Sequence, residues 1–353
     1  MSNISLQSIT KTFRDITALS NVSFDVKDGE FFVLLGPTGA GKTTTLRIIA
    51  GLETQDDGTV SFDDEDVSGL PPADRDVAFI FQQYSLYPTM SVYDNLAFPL
   101  RSPLRKMPAP EIKQRVETAA EMLRISHLLE RKTAKLSGGE MQRVAIGRAI
   151  VRTPRVYLMD EPLSNLDAKL REALRIELQH LQKTQRSTTL FVTHDQIEAL
   201  TMADRIGILR EGQIVQIGTP EDIYDRPAST FVAELVGTPR INLVEARRED
   251  GAISIKGSQV RMSIPNSGTL PPSFLVGVRP EDVQPSNKGE YSGQIVLTEP
   301  LGVETIVHIR SGDRRFLSLI PGMTNLKLGD EVKFNIALDR LHFFDGKNGN
   351  RIT

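Results

Sequence analysis

Short apolar runs, each followed at once by a glycine or a polar residue, constrain the fold of this chain more than any other feature of its 353 residues. The runs span residues 31–35, 77–81, 156–159 and 189–192, and the residues that follow or end them are Gly36, Gln82, Asp160 with Glu161, and Thr193 with His194. Continuous apolar runs of this length are typical of strands buried on both faces of a parallel sheet. Helical patterns lie between them, and in α/β sheets ligands bind beyond the carboxyl ends of the strands. We therefore expect an α/β fold in which these residues meet at one site.

Two regions differ from this alternating part of the chain. Residues from about 96 to 152 have a mostly helical pattern of apolar residues. Beyond Gly237 the chain has short β-rich runs broken by Gly, Pro and Asn, a spacing typical of a small barrel or sandwich. We predict a first domain over residues 1–236, which includes the helical insert, and a β-rich second domain over residues 237–353.

The composition of the chain argues against several classes of protein. A formal charge of −3 and an isoelectric point near 6.0 provide no attraction to nucleic acid, so we expect no nucleic-acid partner. The absence of cysteine excludes a disulfide framework and fits a reducing compartment. The N-terminus lacks the pattern of a signal peptide, and the longest apolar runs are far short of the roughly 20 residues that cross a bilayer. A role at a membrane would therefore require docking onto a protein that spans it.

The segment Gly-Pro-Thr-Gly-Ala-Gly-Lys-Thr at residues 36–43 matches the phosphate-loop pattern in full, between a predicted strand and a predicted helix. Its glycines let backbone N–H groups converge on phosphate, and the helix N-terminus adds positive partial charge. Lys42 is expected to reach the β- and γ-phosphates, and the Thr43 hydroxyl is expected to bind Mg²⁺. A Gly-rich turn that binds nothing is the alternative, and Gly-Lys-Thr in this context argues against it. The expected nucleotide-binding residues are Gly36, Pro37, Thr38, Gly39, Ala40, Gly41, Lys42, Thr43 and Thr44.

Asp160, Glu161, Gln82 and His194 are the residues expected to act beside that loop, together with Lys42. Asp160 closes an apolar strand, and in phosphate-loop proteins that carboxylate holds Mg²⁺, usually through water. Glu161 can act as the general base that polarises the attacking water. Gln82 can contact Mg²⁺ or that water, and His194 can sense the γ-phosphate. Taken one at a time, these residues could instead be solvated acids, an ordinary strand end and a structural histidine.

Leu136–Glu140 contains a second candidate phosphate cradle, Ser137, Gly138, Gly139 and Glu140. Ser137 followed by Glu140 fits a capping box at the start of a helix. A capping box does not explain the two glycines, each of which costs roughly 1 kcal/mol relative to alanine in a helix interior. Bare backbone amides at a helix N-terminus, beside a Ser hydroxyl, form an anion site, so we expect both roles. One ATP per chain leaves this cradle with nothing to hold, which predicts a dimer in which it closes on the partner's ATP.

Phe13 is the candidate for contact with the base of the nucleotide. It lies upstream of the phosphate loop, in Lys11-Thr12-Phe13, where its ring could stack on adenine. A core phenylalanine is the alternative, and the sequence alone does not separate the two.

In combination these motifs resemble those of the ATP-binding cassette (ABC) ATPases, and the resemblance covers the whole chain. The matching segments are Gly36–Thr43 for Walker A, Gln82 for the Q-loop, Leu136–Gln142 for the signature, Leu158–Glu161 for Walker B, Ser164–Asp167 for the D-loop and His194 for the switch histidine. The resemblance implies a P-loop NTPase fold with a helical subdomain, ATP and Mg²⁺ as cofactors, and a head-to-tail dimer in which residues 137–139 of one chain face the ATP held by Lys42 of the other. This sequence has Glu140 where the family usually has Gln, Asn165 where Ala is usual, and Phe13 where Tyr or Trp is commoner.

The second domain resembles the regulatory domain of the maltose- and glycerol-phosphate-type importer ATPases, in segments 237–242, 277–282 and 341–345. In that family the domain has an oligonucleotide/oligosaccharide-binding-like (OB-like) barrel and helps to pair the subunits. The family's permease-docking surface follows the Q-loop glutamine. The corresponding residues here are Tyr84, Leu86, Tyr87 and Pro88, for which ordinary loop packing is the alternative.

The resemblance therefore implies the ATPase subunit of a bacterial importer for a carbohydrate or related polar solute, peripheral to the cytoplasmic face of the inner (plasma) membrane. The implied partners are a second ATPase chain, most simply an identical one, the permease subunits, an external solute-binding protein indirectly, and a regulator at the C-terminal domain. Related extensions occur in polyamine and iron importer ATPases, which are an alternative. A soluble ABC ATPase of DNA maintenance and a nucleotide-gated module with little turnover are further alternatives. The lack of cysteine, of sustained heptads and of a basic balance argues against the DNA-maintenance role.

Overall fold

The computed structural model describes residues 2–102, 107–249, 251–263 and 270–352. The chain divides into two compact units, Met1–Pro220 and Glu221–Thr353. The division lies earlier in the chain than the domain boundary that the sequence predicts between residues 236 and 237.

The first unit is an α/β structure. Its strands are β1 (Ile4–Phe13), β2 (Ile16–Val26), β3 (Phe31–Leu35), β4 (Asp57–Phe62), β5 (Glu65–Asp66), β6 (Val77–Ile80), β7 (Val156–Asp160), β8 (Thr188–Thr193), β9 (Arg205–Arg210) and β10 (Gln213–Gly218). Its helices are α1 (Lys42–Ile49), α2 (Val92–Ala97), α3 (Ala109–Met122), α4 (Gly138–Ile150), α5 (Ala168–Gln185) and α6 (Gln196–Met202).

A six-stranded sheet in the order β10-β9-β3-β8-β7-β6 forms the centre of this unit. All neighbouring strands are parallel except β9 and β10, which are antiparallel. The predicted apolar runs are β3, β6, β7 and β8, which are four adjacent strands of this sheet. Every residue of β3, β7 and β8 is buried, as expected for strands covered on both faces. The α/β prediction is therefore confirmed, and the polar strand ends share one edge of the sheet.

A second sheet, β2-β1-β4-β5, is antiparallel and was not predicted from the sequence. One hydrophobic core joins it to α1 and the central sheet, and it includes Leu6 of β1, Leu46 of α1 and Val192 of β8. The helix behind the phosphate loop is thus held between two sheets, which fixes the direction of its N-terminus.

Helices α3 and α4 lie in the region that the sequence predicts to be helical, from about residue 96 to 152, whereas α2 lies mostly before it. Val116 and Ala120 of α3 and Val144 and Ile146 of α4 are fully buried, so the two helices present apolar stripes to the interior. Within the described residues, no helix is long and apolar enough to cross a membrane.

The second unit is β-rich, as the sequence predicts. It begins with helices α7 (Pro220–Asp225) and α8 (Thr230–Leu235). Its strands are β11 (Asn242–Glu249), β12 (Ala252–Ile255), β13 (Arg261–Met262), β14 (Ser273–Val278), β15 (Val283–Pro285), β16 (Tyr291–Pro300), β17 (Glu304–Ser311), β18 (Arg314–Pro321), β19 (Glu331–Ile336) and β20 (His342–Asp345). They form two antiparallel sheets, β13-β12-β11-β14-β20 and β15-β19-β16-β17-β18. Both sheets contribute to one core, which includes Val276 and Phe334.

Candidate active site

Lys42 is the first residue of α1 and directly follows the loop that joins β3 to this helix. Gly39 and Gly41 of that loop have φ angles of 80° and 106°, a region that favours glycine. The Lys42 ammonium donates hydrogen bonds to the carbonyl oxygens of Gly36 (2.9 Å) and Pro37 (3.0 Å). The side chain is 5% exposed, and its burial lowers the pKa of the ammonium group. The loop therefore holds a buried cation close to its own backbone.

The other loop residues differ in their exposure to solvent. Thr38 lies on the exposed tip, whereas Ala40 packs into the core. The N-cap of α1 is Gly41, which has no side chain to satisfy the first N–H groups of the helix. Thr43 and Thr44 lie in the first turn. The N-terminus of α1 thus remains available to an anion.

Asp160 joins the end of β7 to the phosphate loop. The Thr43 hydroxyl donates to Asp160 Oδ1 at 3.0 Å. Asp160 is 4% exposed, and its burial raises the pKa of the carboxyl group. Two side-chain oxygen atoms from separate elements therefore lie side by side at the sheet edge.

Glu161 is the point at which the predicted catalytic residues converge. Its Oε1 lies 3.7 Å from Lys42 Nζ, and its Oε2 lies 3.0 Å from His194 Nδ1. The Gln82 amide donates to the same Oε2 at 3.4 Å. The structure thus brings together the residues that follow β3, β6, β7 and β8.

The backbone of Glu161 is strained. Its φ angle is 46°, in the left-handed region that residues other than glycine rarely adopt, at a cost on the order of 1–3 kcal/mol. Its N–H donates to the carbonyl oxygen of Val192 in β8 at 3.0 Å, which holds the turn in place. This conformation ends β7 and directs the chain after Asp160 along the sheet edge.

The second cradle is the N-terminus of α4, and it is closed by its own side chains. The Ser137 N–H and hydroxyl donate to Glu140 Oε2 at 2.7 and 2.8 Å, and the Glu140 N–H donates back to Ser137 Oγ at 3.4 Å. The capping box predicted from the sequence is therefore present. Gly138 lies beneath the Tyr84 hydroxyl, which would be 3.1 Å from an added Cβ, and Gly139 has room for one. No hydrogen bond or ion pair between described residues joins this cradle to the phosphate loop.

Phe13 ends β1 and is 43% exposed. The Lys11 ammonium lies 5.1 Å from the centre of its ring. The exposure of the ring argues against the alternative of a core phenylalanine.

Comparison with known proteins identifies the family. A family model described as "ABC transporter" matches residues 19–164, and one described as "TOBE domain" matches residues 276–344. The chain is 44% identical to the trehalose/maltose import ATP-binding protein MalK of Thermococcus litoralis, over the whole of both chains. The chain belongs to the ATP-binding proteins of ABC transporters.

Other relatives of this ABC ATPase are similar over their full length. It is 43% identical to an sn-glycerol-3-phosphate import ATP-binding protein UgpC of Ruegeria pomeroyi, over the whole of both chains. It is also 43% identical to the xylose/arabinose import ATP-binding protein XacK of Haloferax volcanii, across 100% of this chain and 96% of the relative. Among solved structures, a dimeric ATP-binding cassette bound to ADP and Pi covers 62% of this chain and 98% of its own, with 32% identity and a TM-score of 0.57. The protein is thus an ATPase that binds ATP or ADP, and related cassettes form dimers.

Sequence reasoning missed part of the surroundings of the ABC ATPase site. Glu198 of α6 is 4% exposed and accepts a hydrogen bond from the Thr193 hydroxyl, directly before His194. Arg171 of α5 lies 3.7 Å from Asp195 on the other side of His194. One feature of the sequence could have identified Glu198. It is a charged residue beside Ala199 on the apolar face of a short helix, where an uncharged residue is expected.

Proposed function

We propose that this ABC ATPase energises the uptake of a carbohydrate or a glycerol phosphate through a membrane permease. The observation that carries the proposal is full-length similarity to import ATP-binding proteins named for such solutes, including the TOBE domain that follows the cassette. The proposed location is the cytoplasmic face of the inner membrane, where the chain is peripheral and attached through the permease. A polyamine or iron importer is the alternative.

A groove after Gln82 is the proposed docking site for a cytoplasmic segment of the permease. It has a volume of about 330 Å³ and is lined by Phe81, Tyr87, Phe98 and Arg148, among others. The rings of Tyr87 and Phe98 lie 4.5 Å apart and are 38% and 45% exposed. Exposed aromatic rings in a concave surface are typical of protein–protein contact sites. The short distance along the chain to Gln82 would connect docking to the nucleotide.

The proposed cofactors are MgATP and its Mg²⁺ ion, and the donor atoms fit that ion. The Thr43 hydroxyl and an Asp160 oxygen lie 3.0 Å apart, and the Gln82 amide is on the same edge. Oxygen donors are those that Mg²⁺ prefers, and Mg²⁺ commonly keeps several waters and phosphate oxygens, so one or two protein ligands suffice. When bound, the ion neutralises developing charge on the phosphate oxygens.

The proposed reaction is hydrolysis of the γ-phosphate of ATP. Glu161 accepts the proton of the attacking water, which adds to the γ-phosphorus while the bond to the bridging oxygen of ADP breaks. Lys42 and His194 stabilise the negative charge on the transferring group. The contacts of Glu161 with both residues at 3.7 and 3.0 Å hold its carboxylate beside them.

The second cradle is proposed to complete the site of a partner chain. Residues 137–140 provide helix amides and a hydroxyl but not the proposed general base. That residue, Glu161, contacts Lys42 of the first cradle. In the proposed head-to-tail dimer the Ser137 hydroxyl and the amides of Gly138 and Gly139 face the partner's ATP, and Phe13 stacks on the adenine held by its own chain. ATP closes the dimer and moves the permease, and hydrolysis reopens it. The pairing of identical chains, the indirect link to an external binding protein and a regulator at the C-terminal unit are also proposals.

Solute uptake in cells that carry Lys42→Ala tests the proposed cargo. The cells are given labelled sugars, glycerol phosphates, polyamines and iron, and a Lys113→Ala strain serves as the control because Lys113 is an exposed lysine of α3. We expect loss of one sugar or glycerol phosphate in the Lys42 strain alone. Loss of polyamine or iron uptake instead would contradict the proposed solute class but agree with the proposed role in import. Unchanged uptake of the whole panel, with the variant folded, would contradict both.

A further inference from the structure

Glu198 is a buried carboxyl group that the proposed chemistry does not use. It lies on the inner face of α6, beside the buried Ala199 and Met202, and is 4% exposed. Its burial raises the pKa of the carboxyl group. Among the described residues it forms no ion pair, and its hydrogen-bond partner is the Thr193 hydroxyl at 2.5 Å. The charges of Arg171 and His194 act on this carboxyl group without forming an ion pair with it, and they offset only part of the cost of its burial. Its presence therefore calls for a physical reason.

The Thr193 hydroxyl connects Glu198 to the turn that carries His194. It accepts a hydrogen bond from the N–H of Asp195 at 2.9 Å while it donates to Glu198. Asp195 in turn caps α6, because its Oδ1 accepts from the N–H of Ile197 at 2.7 Å. Hydrogen bonds therefore connect the residues on both sides of His194 to α6, and Glu198 is the buried acceptor in this network.

Within the described part of the chain, few contacts hold the side chain of His194. Its side chain is 54% exposed, and its ring contacts Glu161 Oε2 at 3.0 Å. An exposed side chain is positioned mainly by its backbone, so the position of the imidazole depends on the turn between Thr193 and Asp195. A displacement of about 1 Å at a reacting group can cost on the order of 10²-fold in rate.

We infer that Glu198 is a positioning residue for His194, which it holds in place through the Thr193 hydroxyl. This inference rests on the role proposed for His194 in ATP hydrolysis. The same carboxyl group lines a cavity of about 40 Å³, together with Glu161 and His194. That volume exceeds the roughly 10–15 Å³ that one water requires, so a water can lie between the two carboxyl groups and transmit the alignment.

Two substitutions at this position separate alignment from stability. Glu198→Gln keeps an oxygen that accepts from Thr193, whereas Glu198→Met has a similar volume and no acceptor. We expect kcat for ATP to fall about tenfold in Glu198→Met, with KM within twofold, and to stay near the wild-type value in Glu198→Gln. The melting temperature of Glu198→Met should change little, because removal of a buried carboxyl group offsets the loss of the acceptor for the Thr193 hydroxyl.

A spectroscopic readout and a matched control complete the test. The chain has five histidines, so the imidazole ¹⁵N signal of His194 can be assigned by its loss in His194→Ala, and it should shift in Glu198→Met but not in Glu198→Gln. Gln182→Met is the control, because Gln182 is 5% exposed and donates to the Ser187 carbonyl at the other end of β8. Its turnover should remain near that of the wild type.

The outcomes distinguish this inference from the proposed role of His194. Wild-type turnover in His194→Ala would contradict the role of the histidine. Slow turnover in His194→Ala combined with wild-type turnover in Glu198→Met would overturn only the inference about Glu198. Equal losses in Glu198→Gln and Glu198→Met, or an unmoved imidazole signal, would also overturn it.

Discussion

The two candidate phosphate cradles of this chain are both helix N-termini, but they differ in the side chains around them. Beside the first cradle, residues 36–44, a buried ammonium, two carboxyl groups, an amide and an imidazole converge. At the second cradle, residues 137–140, the side chains satisfy each other in a capping box. A helix N-terminus alone can bind an anion, whereas the side chains proposed for hydrolysis come from the strand ends of the parallel sheet, which lie beside the first cradle.

The charge of the two cradles differs as well. Lys42 places a cation in the first, whereas Glu140 places an anion in the second. The N–H and hydroxyl of Ser137 bind the Glu140 carboxylate and lower its pKa, so the carboxylate is charged at neutral pH. In the proposed dimer, the groups of the second cradle that would hold phosphate are therefore its backbone amides and the Ser137 hydroxyl.

Glu161→Gln removes the chemistry of the first cradle and should have the largest effect. We expect kcat to fall by about 10³-fold, because a general base contributes in this range, while ATP still binds and holds the dimer closed. Turnover and ATP-dependent dimerisation, measured by size-exclusion chromatography, check this. Near-normal turnover would refute the assignment of the base.

Gly139→Asp disables the second cradle without disturbing the helix. An added Cβ has room, and an acidic residue in the first turn of a helix is stabilising, so the melting temperature should not fall. We expect kcat to fall roughly 100-fold, because the added carboxylate would repel the phosphate that the proposed dimer places at this amide. Gly69→Asp is the control, since Gly69 has nothing within 4 Å of an added Cβ. A decrease in kcat of similar size in Gly69→Asp would contradict a specific role of the second cradle.

Phe13→Ala tests the contact with the base and should have a smaller effect. The ring is exposed, and stacking on a base is worth about 1–3 kcal/mol, so we expect KM for ATP to rise about fivefold with little change in kcat. Ile16→Ala is the control, because Ile16 pairs with Phe13 across the β1–β2 turn and is 71% exposed. An equal rise of the KM for ATP in both variants would instead indicate a general effect on the turn.

Glu140→Gln should have the smallest effect, and it is the one that depends on pH. Loss of a charge at a helix N-terminus costs about 0.5 kcal/mol of unfolding free energy at neutral pH. Because the folded-state pKa of Glu140 is lowered from 4.5, the stabilisation is present above that value and is lost as the pH falls through the folded-state pKa. Urea unfolding at pH 7 and pH 3 measures the difference, which should be smaller at the lower pH. A difference of the same size at both pH values would exclude a charge effect.

The local parts of the fold could be predicted from the sequence, because they depend on short-range patterns. The apolar runs correspond to β3, β6, β7 and β8, and the Ser137–Glu140 capping box is present as expected. The adjacency of those strands was not predictable in detail, since pairing joins residues such as Leu35 and Thr193 that are far apart in the sequence. The antiparallel sheet that contains β1 and β2 was missed for a similar reason, because its strands alternate and carry few continuous apolar runs.

The candidate site shows the same limit. The residues after each strand were identified from their types and positions, and the structure places them within hydrogen-bond or ion-pair distance of Glu161. The left-handed backbone of Glu161 could not be read from its residue type, because glutamate normally avoids it. The link from Glu198 to Thr193 depends on the packing of α6, which no motif in the sequence describes.

Cross-linking between two single-cysteine variants tests the central claim, that the second cradle of one chain faces the first cradle of another. The chain has no cysteine, and Thr38 and Ser137 are both exposed, so Thr38→Cys and Ser137→Cys can be introduced separately into Glu161→Gln protein. The two variants are mixed with a short bis-maleimide, with and without ATP. The account predicts a cross-linked dimer that requires both variants and ATP. Absence of that dimer, together with a cross-link inside a single chain that carries both cysteines, would contradict it.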